Sequence, residues 1–120
     1  MSLADIEVVR QHYYTRESQR RAQREAERRQ WLERVREAVP CIAQRHPAVR
    51  RVFLYGSLTQ EGRFRPDSDI DLAVECDSLE AESPFWRDLE RELQRDVDVR
   101  PLEGVIAEIV RDTGEQLYGR

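Results

Sequence analysis

From about Glu17 to Ala43 the chain contains no glycine and one proline, Pro40, and good helix formers dominate the rest. A long helix is therefore the first constraint on the fold. Ala22, Ala26, Leu32, Val35 and Val39 mark a thin apolar stripe at helical spacing, interrupted near Arg29. Around it, Arg21–Glu25, Glu25–Arg29, Arg29–Glu33 and Glu33–Arg36 stand three or four residues apart, each pair worth a few tenths of a kcal/mol. Interleaved charges of this kind describe a solvated, ion-paired helix face better than a nucleic-acid-binding one, which would carry Arg without the acids. Upstream, Ile6, Val9 and Tyr13 share a helical face with Tyr14 beside them, as in a short leading helix or docking arm.

Charge divides the chain in two. All 20 basic side chains are Arg, so Lys-based Schiff-base or phosphate chemistry is excluded. Residues 1–51 hold 12 Arg against 7 acids, and residues 52–120 hold 8 Arg against 17 acids; the two halves, +5 and −9, sum to the net −4. A basic arm and an acidic, metal-holding body are the natural reading. No apolar run approaches the roughly 18 residues of a spanning helix. The first residues lack the basic and apolar regions of a secretory signal. Cys41 and Cys76 are too few for a disulfide framework, and buried structural thiols are expected. A cytoplasmic protein with no membrane partner follows as the expectation.

After Pro47 the pattern changes. Arg51–Tyr55 reads as a strand ended by Gly56, Asp69–Cys76 as a second, and Asp96–Arg100 as a third. Ser83 is placed as N-cap and Pro84 as first residue of a helix to about Gln94, and a last helix runs from Leu102 to about Arg111. The division is an N-terminal helical extension, 1–47, and a domain, 48–120. Its class is α/β or α+β, with a small mixed sheet covered on at least one face.

Three short segments carry the chemistry. Asp69 and Asp71, two apart in an extended chain, project from one face while Ile70, Leu72 and Val74 face the core. Adjacent carboxylates repel unless a cation lies between them, and hard oxygens suit magnesium or manganese. Gly56-Ser57 follows an apolar strand, so backbone can approach a phosphate closely and Ser57 can add its hydroxyl and amide. It is neither a Walker loop nor a dinucleotide fingerprint. Asp98, between Val97 and Val99, faces away from the valines and completes a three-acid cluster if its strand neighbours the second; Asp96 is the rival, nearer the turn.

The order of these pieces resembles the minimal nucleotidyltransferases of the DNA polymerase beta superfamily. The carrying residues are Leu54-Tyr55-Gly56-Ser57, Arg65-Pro66-Asp67-Ser68-Asp69-Ile70-Asp71-Leu72-Ala73-Val74 and Val97-Asp98-Val99, with Gly114–Tyr118 similar to the family's usual end. The resemblance spans roughly residues 50–118 and implies a polymerase beta-like mixed sheet. It implies that Gly56 and Ser57 hold phosphate, that Asp69 and Asp71 ligate Mg2+ (or Mn2+), and that Asp98 is the third acid, helping to activate the incoming hydroxyl. ATP is the expected nucleotide donor. Leu58 stands where many members carry a basic residue, and the loop from Ser57 to Asp69 is about one residue long for the family. Arg63 and Arg65 are the expected substitutes, with Ser68 beside them.

So short a chain leaves no residues for an acceptor-binding domain, so the acceptor is expected on another macromolecule. In the minimal family that is often a HEPN-type toxin, to whose tyrosine the family member adds AMP as antitoxin. The Arg-rich front half is then the expected docking element, an oligomer is compatible with it, and no nucleic-acid partner is expected. The competing reading is a catalytically degenerate nucleotidyltransferase-fold module that neutralises a partner by contact. A third, RNA binding through the Arg-rich helix, would require salt-sensitive affinity independent of Asp69 and Asp71.

Overall fold

The computed structural model describes residues 2–119. The Gly-free front half forms one unbroken helix, α1, Leu3–Ala43, in place of a short leading helix and a separate long one. Ser2 caps it: its Oγ accepts from the Asp5 amide at 3.1 Å, and the Asp5 carboxylate accepts from the Ser2 amide at 3.2 Å. Pro40 is tolerated because it lies in the last turn, where only one ladder bond is lost.

Only the C-terminal part of α1 is packed, through Val35, Val39, Ile42 and Ala43. From Leu3 to Arg24 every residue is exposed except the half-buried Glu17. A 120-residue globule has a radius of gyration of about 14 Å. The observed 18.9 Å, with extents of 68 × 28 × 19 Å, is the signature of a helical arm standing off a compact body. Of the anticipated ion pairs, Glu25–Arg29 forms at 3.4 Å. The other three are not among the salt bridges of the described residues. Arg28 competes for Glu25 at 2.7 Å, and Arg36 makes a bidentate bond to Glu115 at 2.7 Å for each contact.

The body is a four-stranded mixed sheet in the order β3-β2-β1-β4, from β1 (Val49–Tyr55), β2 (Ile70–Cys76), β3 (Val97–Pro101) and β4 (Glu115–Gly119). β1 runs antiparallel to β2 and β4, while β2 and β3 are parallel, joined by helix α2, Glu82–Leu93. One sheet face, bearing Val52, Leu54, Leu72, Val74, Val97 and Val99, packs on α1 and on Phe85, Leu89 and Leu93 of α2. The opposite face is partly covered by α3, Gly104–Thr113, through Ile106 and Val110 against Phe53, Tyr55 and Ala73. His46 Nε2 and Asp88 Oδ2, 2.7 Å apart, tie the end of α1 to α2.

Three sequence expectations are corrected here. β4 is a fourth strand, built on long-range pairing with β1 rather than on any alternation of its own. α2 starts at Glu82 with Ala81 as N-cap, so Ser83 and Pro84 lie inside the first turn. Pro84 is comfortable there because first-turn amides have no helical acceptor to lose. Cys41 is exposed and Cys76 is half-buried, so neither is a fully buried thiol. No helix among the described residues is long and apolar enough to cross a membrane.

Candidate active site

The parallel pairing of β2 with β3 sets Asp71 directly opposite Asp98, and the antiparallel pairing of β1 with β2 sets Tyr55 opposite Asp71. Side chains in register project from the same sheet face. Tyr55, Asp71 and Asp98 therefore form one row across three strands, on the face away from α1 and beside α3. The buried state of Ile70, Leu72, Val97 and Val99 fixes which way the acids point. Asp69 lies one step before β2, exposed.

Burial, and then the charges of Asp98 and Asp69, push the Asp71 carboxyl up to about 6. Tyr55 responds to the same surroundings: burial first, then Asp71 and Asp98, hold its phenol above the usual range. Asp98 Oδ2 accepts from Arg100 Nε at 3.0 Å, a bond between residues two apart on one strand face. Among the described residues no three His, Cys, Asp or Glu side chains are gathered closely enough to enclose a metal ion. The donor set nevertheless fits a hard divalent cation. The cluster is all carboxylate oxygen, and the repulsion from Asp98 and Asp69 that adds to burial in raising Asp71 is what such a cation would relieve. Arg100 engages one Asp98 oxygen, Oδ2, and leaves Oδ1 for a cation.

Gly56 closes β1 with φ +81 and ψ −153, backbone that side chains avoid. A Cβ there would stand 2.2 Å from Asp71 Oδ2. The glycine thus lets the chain turn against the central carboxylate. Ser57 then opens a 3-10 turn, Ser57–Thr59, secured by Thr59 Oγ1 donating to the Gly56 carbonyl at 2.7 Å. The Ser57 hydroxyl makes no hydrogen bond among the described residues. Leu58 is fully buried, which accounts for the absence of a basic side chain there. Its carbonyl accepts from Arg28 of α1 at 2.9 Å.

Arg63 and Arg65 are exposed on the loop before β2, with no side-chain hydrogen bond or ion pair among the described residues. Ser68 is engaged within that loop, its Oγ accepting from the Arg65 amide at 2.9 Å. The loop is held by Arg95, which sequence reasoning missed. Its guanidinium donates to the carbonyls of Arg65 (2.9 Å), Pro66 (3.1 Å) and Ser68 (2.7 Å). It is sandwiched between the rings of Phe64 (4.4 Å) and Trp31 of α1 (4.8 Å). Arg95→Ala strands three carbonyls and is expected to cost about 1–3 kcal/mol. Hydrogen exchange should show faster amides over residues 65–69, and unchanged exchange there would refute the clamp. Arg100 and Tyr55 were also missed, although each lies two residues or one strand from a chosen acid.

Against this geometry stands a direct family match: the model for polymerase beta nucleotidyltransferases covers residues 37–120. The chain belongs to the polymerase beta nucleotidyltransferase family. The match takes in the acid row, the Gly-Ser turn and the last two turns of α1. Solved structures agree on the fold. A mutant of the toxin–antitoxin MntA–HpeT is similar at 25% identity and TM-score 0.60, covering 71% of this chain and 73% of that one. A toxin–antitoxin solved with AMP-PNP is similar at 29% identity and TM-score 0.57, covering 67% and 69%. An MNT antitoxin complex with a tri-AMPylated HEPN toxin from Shewanella oneidensis shares the fold at 23% identity and TM-score 0.56, covering 73% and 72%. No curated protein matches the chain.

Proposed function

We propose that this nucleotidyltransferase moves AMP from ATP onto a hydroxyl of a partner protein, a tyrosine of a HEPN-type toxin, and thereby acts as its antitoxin. The observation that carries the reading is the register-locked pair Asp71–Asp98 beneath the Gly56-Ser57 turn. Support comes from family membership and from the toxin–antitoxin relatives, one of them solved with a nucleotide analogue.

Asp69, Asp71 and Asp98 would hold Mg2+ or Mn2+, which neutralises phosphate charge and lowers the pKa of an acceptor hydroxyl. The chain's own groups do the rest. Gly56 and Ser57 offer amides and a free hydroxyl to the phosphates, and Arg63 and Arg65 add positive charge from the loop. Arg95 keeps that loop in place. Asp98 takes the proton of the acceptor hydroxyl at its carboxylate. A bond then forms from the hydroxyl oxygen to the α-phosphorus as the bond to the β-phosphate oxygen breaks, and pyrophosphate leaves. Because only part of that sheet face is covered, a tyrosine presented by a partner can reach the row.

Incubation with the toxin encoded beside it, Mg2+ and ATP labelled at the α-phosphate should place label on a toxin tyrosine. ATP labelled at the γ-phosphate should leave none. No transfer of the α-label, with an active toxin present, would overturn the reading. The Asp98–Arg100 bond favours one alternative, a module that keeps the fold and neutralises its partner by contact alone.

A further inference from the structure

Arg100 stands at the acid row with half of its bonding capacity unused. Alternation along β3 buries Val97 and Val99 and puts Asp98 and Arg100 on the same sheet face. β3 is an edge strand, and Arg100 pairs there with the small Ala73 of β2. Its side chain is 59% exposed. It donates through Nε to Asp98 Oδ2 at 3.0 Å, and Nη1 and Nη2 have no partner among the described residues. An arginine held through Nε alone keeps its terminal fork free, and that fork matches the two oxygens of a carboxylate or a phosphate.

Its place in the sheet decides between the two. The Gly56-Ser57 turn follows Tyr55, the partner of Asp71, so it lies at the start of β2; Arg100 is level with Ala73, on the far side of β2. At about 4.8 Å between strands and about 3.3 Å per residue, the two are separated by about 10 Å across the sheet and about 10 Å along it. In-line displacement sets the attacking and leaving oxygens on opposite sides of the α-phosphorus. With the phosphates at the Gly56-Ser57 turn, the leaving side is there, and the attacking hydroxyl arrives from the side of Asp98 and Arg100. Resting on the transfer reading above, we infer that Arg100 selects the acceptor: its free fork takes a carboxylate beside the hydroxyl that Asp98 deprotonates. The substrate is then a tyrosine with an aspartate or glutamate next to it on the partner's surface. A tyrosine in neutral or basic surroundings is a poor acceptor. Because Nε holds Asp98 at the same time, one guanidinium fixes both the base and the acceptor's carboxylate.

The test uses the full chain, the toxin encoded beside it, Mg2+ and ATP labelled at the α-phosphate. Arg100→Ala should raise the KM for the toxin at least tenfold and leave the KM for ATP within twofold. Arg100→Lys, which keeps the charge but not the fork, should recover part of the loss. Among the acids around the labelled tyrosine, changing one to its amide should reproduce the loss with wild type and add nothing to Arg100→Ala. Calorimetry without ATP should show the same pair of residues coupled in toxin binding. If wild type transfers no label but that coupling is found, the transfer reading fails and the recognition by Arg100 stands. An equal rise in the KM for ATP would put the fork on the nucleotide and overturn the inference. So would a fall in kcat alone, or the absence of any toxin acid coupled to Arg100 in transfer or in binding.

Discussion

Asp71→Asn is expected to make the metal-free protein more stable at neutral pH while abolishing the proposed nucleotidyl transfer. Burial and the neighbouring Asp98 and Asp69 raise the Asp71 pKa from 3.8 to about 6. A carboxyl whose folded pKa is raised contributes stability that is fully present below the unfolded value and is lost as pH rises through the folded value. At pH 7 the wild type has lost that contribution; the amide has no charge to repel. A shift of two units corresponds to about 3 kcal/mol, and solvent screening of a half-buried group reduces this to about 1–2 kcal/mol. Thermal melts should show the variant several degrees above wild type at pH 7 to 8. The gap should close as pH falls from about 6 toward 4. Added Mn2+ with a nucleotide analogue should then raise the wild-type melting temperature and leave the variant where it was. A variant less stable than wild type at pH 8 would show that Asp71 is a structural residue.

Gly56→Ala should act through the same carboxylate from the other side. Backbone near φ +81 and ψ −153 costs a residue with a Cβ about 1–3 kcal/mol. Here the new methyl also stands 2.2 Å from Asp71 Oδ2, so either the turn or the carboxylate moves. Transfer is expected to fall at least 100-fold, because displacing a positioned group by about 1 Å carries that order of loss. Gly62, also at positive φ but with nothing within 4 Å of its Cβ position, is the control. Gly62→Ala should share the backbone strain and keep most of the activity. Equal loss in both would place the effect in loop stability rather than in the contact with Asp71.

Much of the site was legible in the sequence because a strand's side chains alternate. Ile70, Leu72 and Val74 had to be inside, so Asp69 and Asp71 had to be outside. Val97 and Val99 placed Asp98 by the same rule. Alternation alone did not say that the two strands are neighbours; the parallel pairing of β2 and β3 did. The rule extended further than it was used, since Arg100 is two residues past Asp98 and shares its face. Arg95 was not legible: its acceptors are 27 to 30 residues away, and nothing local distinguishes it from Arg91. β4 was missed for a related reason, as its place depends on the edge of β1. The arm was foreseen as helical, but its standing free of the body is a fact of packing that composition does not reveal.

The central claim is that the acid row transfers a nucleotide and that the transfer is what neutralises the partner. Its most direct test is one assay of partner activity with Mg2+ and labelled ATP, run with wild type and with Asp71→Ala. The account predicts that wild type silences the toxin and labels it, and that the variant does neither. A variant that still binds and silences the toxin, with no label transferred by either protein, would contradict it and establish neutralisation by contact.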